Sequence, residues 1–225
     1  MAQLVAKQAK AAGHEIGAVI TSADAGISVS ALSDRIHGHD VAIDFSTAAA
    51  VEKNVTVSAH TGTPLVEGTT GWQSQLGVVC RLVADHKAAL IYGANFSIGV
   101  NVFYRVVSQA AELFAQVSEY APFIEEAHHE RKRDAPSGTA LRLQDLMKEK
   151  MQRDVPVAST RAGSIPGTHR VGFDSPADQV LLSHVARSRA AFAAGALLAA
   201  NWIIGRRGVF EFSEMLNEKL GRNDE

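Results

Sequence analysis

Residues 125–140 read Glu-Glu-Ala-His-His-Glu-Arg-Lys-Arg-Asp-Ala-Pro-Ser-Gly-Thr-Ala. The adjacent histidines His128 and His129 and the three cations Arg131, Lys132 and Arg133 fall within six positions. Pro136-Ser137-Gly138-Thr139 then opens a predicted helix. Pro and Ser ahead of a helix, with Gly138 leaving the backbone bare, suit an anion, because the first N–H groups lack intrahelical partners and the helix dipole is positive there. A histidine can carry a proton near neutral pH. With an ammonium beside it, the segment can receive a carboxylate and transfer a proton.

Three other readings of the segment are open on spacing alone. The histidine pair could hold a metal with Glu125 or Glu126, but adjacent strand residues point to opposite faces, so no metal is expected. The basic run could meet nucleic acid, but Glu130 and Asp134 interrupt it and no aromatics interleave. It could also be a solvated loop.

The elements that must position this segment alternate in type. The first half repeats a short apolar strand, a turn and a helix about every 25 residues. A helix is predicted over 2–12 and a strand from Glu15 to Ile20. Strand 41–45 follows, then a helix to about His60 capped by Ser46 or Thr47. Strand 64–67, the turn Gly68-Thr69-Thr70-Gly71 and a helix from about Gln73 to His86 come next. Strand 89–92 ends at Gly93-Ala94-Asn95-Phe96-Ser97. Alternating strands and helices imply βαβ units and a parallel sheet, whose ligands bind beyond the carboxyl ends of the strands. The loops at 21–24, 45–47, 68–72 and 93–97 are expected on that edge.

After Ser97 the pattern changes. A long helix is predicted over 100–117, a strand over 123–127, and a helix over 139–151 with Leu143, Leu146, Met147 and Met151 on one face. Residues 155–185 read as strands and loops. Two helices, about 192–204 and 213–220, close the chain. The fold class is therefore α/β: a Rossmann-like, doubly wound parallel sheet over residues 1–97, to which residues 190–225 return, and an α+β domain over 98–189.

The whole composition excludes several classes. A formal charge of −2 offers nothing for nucleic acid or an anionic membrane. The longest apolar stretch, 190–204, contains Asn201 and is too short to span a bilayer. Residues 1–14 lack a long apolar run and a cleavage signature, so they read as a folded helix and the protein as cytoplasmic. The single cysteine, Cys80, excludes an internal disulfide framework and reads as core filler.

Residues 126–140 resemble the signature of the dihydrodipicolinate reductases, E-A-H-H-x-x-K-x-D-A-P-S-G-T-A. Gly68-Thr69-Thr70-Gly71 resembles that family's loop near the nicotinamide, and residues 94–101 its hinge into the second domain. Residues 161–167 and 188–196 also fit, so the resemblance covers about residues 1–220. It implies His128 as general acid or base and Lys132 as a second proton donor. It implies that His129, Lys132, Gly138, Thr139 and Arg189 hold the carboxylates of a small cyclic dicarboxylate. Gly68, Thr69, Thr70, Gly93, Ala94, Asn95 and Phe96, with Thr21 and Ser22, would meet the cofactor. The implied reaction is reduction of 4-hydroxy-tetrahydrodipicolinate in lysine and diaminopimelate synthesis, by a homotetramer.

The family opens with a strand and a glycine loop that cradles the pyrophosphate. Here Met1-Ala2-Gln3-Leu4 aligns with the end of that loop. Met1 is expected to be an internal methionine of a longer protein, and dinucleotide binding by this chain is expected to be weak. Thr21 and Ser22, with Asp24 close by, favour neither NADH nor NADPH, so both are expected to serve. The alternatives are a catalytically weak or silent member that still oligomerises through its second domain, and another two-domain dehydrogenase acting on an amino acid.

Overall fold

A computed structural model describes residues 1–221. The chain divides into two compact units, Met1–Ile98 with the stretch from Ala190, and Gly99–Arg189. Residues 222–225, within the predicted return, lie outside the described residues.

The first unit begins with helix α1 (Ala2–Ala11), which buries Val5 and Ala9. Helix α2 (Val29–Ile36), absent from the sequence expectation, follows, with the Ser28 side chain accepting from Ala31 N. Strand β1 (Ala42–Asp44), helix α3 (Val51–Thr61), strand β2 (Leu65–Glu67), helix α4 (Leu76–Asp85) and strand β3 (Ala89–Tyr92) come next. These strands pair in parallel, with Ala42 opposite Leu65 and Leu65 opposite Leu90. β2 is buried along its whole length, as a strand covered on both faces must be. Val79 and Val83 of α4 are buried while Cys80 is half-buried.

Two expectations fail here. Glu15–Ile20 forms no strand. A strand exists through its ladder, and here side chains take the backbone groups instead: His39 Nε2 accepts from Ala18 N at 3.0 Å, and Arg35 Nη2 donates to Val19 O at 2.8 Å. Val19 and Ile20 consequently stay 60% and 43% exposed. Neither Ser46 nor Thr47 caps α3, because the chain enters it through a 3-10 turn over Ala48–Ala50 with no side-chain cap. Ser46 turns back on Asp44 instead, its N and Oγ donating to the carboxylate at 2.7 and 3.1 Å.

The second unit starts in helix α5 (Ile98–Phe114). Strand β4 (Ala121–His128), helix α6 (Gly138–Met151) and strands β5 (Val157–Arg161), β6 (Thr168–Asp174) and β7 (Gln179–Val185) follow. The sheet order is β5-β4-β6-β7, parallel between β4 and β5 and antiparallel elsewhere. Leu143, Met147 and Met151 of α6 are buried with Phe103, Val107, Ile124 and Phe173, while Leu146 is only half-buried. Each fully buried large side chain of this set contributes about 1.5–3 kcal/mol.

From Ala190 the chain completes the first unit with helix α7 (Ala190–Ile203), strand β8 (Gly208–Glu211) and helix α8 (Phe212–Lys219). β8, also unforeseen, pairs in parallel with β3, giving the order β1-β2-β3-β8. One face of this sheet packs on α1, α7 and α8, the other on α3 and α4. α7 lies close because most of the residues it buries are small: Ala193, Gly195, Ala196, Ala199 and Ala200. Gly195 permits the approach: a Cβ there would overlap the carbonyl oxygen of Phe96.

Candidate functional site

β4 carries the buried Glu126 and His128 of the second unit, and its pleat explains which side chains meet. Alternate residues share a face, so Glu126 and His128 point the same way and are both buried. Cross-strand neighbours fill in the rest. Glu126 lies opposite Ser159 on β5 and His169 on β6, and Arg161 lies opposite His128.

Glu126 is the hub. Its side chain is fully buried, and Arg161 meets it in a fork, Nη2 to Oε1 at 2.6 Å and Nη1 to Oε2 at 3.0 Å. His128 Nδ1 bonds Oε2, and Ser137 N donates to Oε1 at 3.3 Å. Burial pushes the Glu126 carboxyl up, but hydrogen bonds from Arg161, Ser159 and His128 outweigh it and hold it at about 2. Burial pulls His128 below the usual imidazole value, and Glu126 opposes that pull while Lys132 and Arg161 add to it. His169 is held at about 4 by burial and by His128.

Helix α6 starts at this hub. Ser137 caps it, its Oγ accepting from Ala140 N at 3.2 Å and lying 3.1 Å from His169 Nε2. The amides of Gly138 and Thr139 are among those a helix cannot bond internally. Gly138 is exposed, and the Thr139 hydroxyl bonds the Tyr104 phenol. Lys132 pairs with Asp134 at 2.8 Å in the connecting loop. That loop is tied down by Arg161 Nη2, which donates to Asp134 O at 2.6 Å.

The structure therefore gathers His128, Lys132 and the start of α6 within one unit. His129 is half-buried just past β4, with its Nδ1 buried and without a hydrogen-bond partner among the described residues. Arg189 is exposed at the end of the unit. Arg161 and His169 do not stand out as functional candidates in the sequence, since their approach depends on sheet pairing, and Glu126 reads there only as a possible metal ligand. Ligand atoms of Glu126, His128 and His169 lie within 4.8 Å of one another. A cation there would face the Arg161 guanidinium, which already occupies both Glu126 oxygens, so the set suits a proton better than a metal.

In the first unit, the carboxyl ends of β1 and β2 border a cleft of about 230 Å³ lined by Met1, Phe45, Ser46, Thr47, Ala48, Gly68, Thr69 and Thr70. Thr69 is nearly buried, and its Oγ1 accepts from Ser46 N at 3.1 Å, while Thr70 is exposed. Gly68 is needed where it stands, because a Cβ would overlap the Phe45 ring. Beneath the loop, Glu67 is fully buried; its Oε1 accepts from Thr69 N at 2.7 Å and its Oε2 has no hydrogen-bond partner among the described residues. Burial and the neighbouring Asp44 push its carboxyl up to about 8.

Gly93 and Phe96 are buried, Asn95 Oδ1 accepts from Ser97 N at 2.9 Å, and Ala94 is exposed. Phe96 packs between Phe45 and Phe212, so only its backbone is available to a ligand. Thr21 and Ser22 lie exposed in a 3-10 turn, not at the end of a strand, and do not line the cleft.

Family profiles cover both units. Residues 1–96 match the profile described as dihydrodipicolinate reductase, N-terminus, and residues 99–216 match its C-terminus counterpart. The chain belongs to the dihydrodipicolinate reductase family. Among similar proteins, the 4-hydroxy-tetrahydrodipicolinate reductase of Christiangramia forsetii is 34% identical over 206 residues, covering 83% of this chain and 86% of that one. The protein of the same name from Methanosarcina mazei is 36% identical over 194 residues, covering 79% and 73%. Among solved structures, a dipicolinate-bound dihydrodipicolinate reductase from Paenisporosarcina sp. TG-14 superposes with a TM-score of 0.68 at 22% identity, covering 82% of this chain and 76% of that one. At that identity it shows a shared fold. Family membership makes the chain an oxidoreductase with a Rossmann-type nicotinamide-binding unit.

Proposed function

We propose that this reductase converts 4-hydroxy-tetrahydrodipicolinate to tetrahydrodipicolinate in lysine and diaminopimelate synthesis. The observation that carries this is His128 and Lys132 beside the uncovered start of α6, all within one unit. His128 serves as general acid or base and Lys132 as a second proton donor. The amides of Gly138 and Thr139, with His129, Lys132 and Arg189, hold the two carboxylates of a small cyclic substrate. A dianion needs several donors, because an unpaired buried carboxylate is costly.

The residues at the carboxyl ends of β1 and β2 fit the nicotinamide end of a cofactor, since the cleft offers hydroxyls and bare backbone at Gly68. When bound, the reduced nicotinamide supplies the hydride. Gly68, Thr69 and Thr70 line its place, with the backbone of Gly93, Ala94, Asn95 and Phe96. Thr21 and Ser22, with Asp24 close by, would meet the ribose and favour neither a 2′-phosphate nor a hydroxyl, so NADH and NADPH both serve. The enzyme works in the cytoplasm as a homotetramer assembled through the second unit. Val180, Leu181 and Val185 of β7 lie exposed on its sheet, as such an interface requires.

The test is turnover of purified protein with each cofactor, with sedimentation for assembly. His128→Gln should cut kcat by about a hundredfold. Wild-type levels in that variant would overturn the role of His128. A tetramer without turnover would favour the silent, oligomerising alternative.

A further inference from the structure

We infer that Glu126 is a positioning residue for His128, and that Arg161 sets how strongly it acts. This rests on the proposed role of His128 and adds to it which ring nitrogen works. A carboxylate held at about 2 is ionised and can only accept, so the proton shared with it belongs to His128 Nδ1. Nε2 is then the nitrogen left for substrate, and it is the atom that faces Gly167. Fixing one ring nitrogen in this way decides the tautomer and the orientation of the other.

Glu126 cannot turn away from this duty. Both its oxygens are held by the Arg161 fork, Ser137 N anchors Oε1, and no part of its side chain reaches water. The start of α6 and the ring of His128 thus share one rigid support. Arg161 has a second effect, since its charge disfavours protonation of His128 while that of Glu126 favours it. The charged and titratable groups around the ring are Glu126 on β4, Arg161 on β5, His169 on β6, and Lys132 with its partner Asp134 in the loop before α6.

The test is imidazole 15N NMR on the full chain, with the His128 signals assigned by their loss in His128→Gln. Wild-type His128 should show the Nδ1–H tautomer. In Glu126→Gln the Nε2–H tautomer should gain and the titration should move to lower pH. In Arg161→Gln the titration should move to higher pH. Turnover should fall about 10- to 100-fold in Glu126→Gln through kcat, with the cofactor KM unchanged. Glu126→Asp should recover part of both signatures. A merely structural Glu126 would lower Tm and leave the tautomer and titration where they were, and that result overturns the proposal. So would shifts of the same sign in both charge variants. If Glu126→Gln does not fold, Arg161→Gln alone decides by the sign of its shift. Full turnover in His128→Gln would sink the catalytic role while the ring signals still report on positioning.

Discussion

The place a Cβ would take on Gly167 lies 3.1 Å from Nε2 of His128. Gly167 also has φ +148, which L side chains rarely adopt. Its replacement by Ala should crowd the nitrogen assigned to substrate and strain the turn before β6. We expect kcat/KM to fall about tenfold or more, with about 1 kcal/mol of lost stability. Steady-state kinetics beside a denaturant melt check both; an unchanged kcat/KM would mean that Nε2 does not face substrate.

Gly195→Ala should act on the first unit alone. The added methyl must push α7 away from the Phe96 carbonyl, at a cost of about 1–3 kcal/mol. Hydrogen exchange should show the loss in β2 and β3, whose Val66 and Ile91 pack in that core, and not in β4. Equal loss in both sheets would contradict it.

Glu67 gives the protein an alkaline weakness. Its carboxyl stands near 8 in the fold against an ordinary 4.5, so the folded state binds the extra proton. Its contribution is full below about 4.5, falls as pH rises, and is gone above about 8. The loss is on the order of a few kcal/mol. Glu67→Gln, whose amide oxygen can still accept from Thr69 N, should flatten Tm between those limits. A variant as pH-sensitive as wild type would refute the assignment.

Acid should weaken the second unit. His169 is held neutral to about 4 against an ordinary 6.5, and Glu126 ionised to about 2 against 4.5. Both are depressed, so stability is whole above 6.5, declines toward 4 through His169, and declines again toward 2 through Glu126. Melting His169→Gln across that range should show the first decline reduced.

Much of this was legible in the sequence. The capped start of α6 follows from Pro136, Ser137 and Gly138, and the sheet follows from the alternation of β1 to β3 with helices. What stayed hidden depends on pairing between distant residues. Strand β8 has only four residues and exists because β3 lies beside it. Glu126 and His128 share a face by simple alternation, which placing the end of β4 at Ala127 obscured. Arg161 and His169 reach Glu126 only through the register of three strands. The strand predicted over 15–20 had the right residues but no ladder among the described ones.

The discontinuity of the first unit sets an order of events during synthesis. β3 leaves the ribosome well before β8, and the entire second unit is made between them. Until then the edge of β3 has no neighbour on that side, and Ile91 lacks the cover of α7. The second unit, continuous in sequence, can close its own core while the first waits. A chain stalled before Ala190 would thus carry one closed core and one sheet still open to wrong partners.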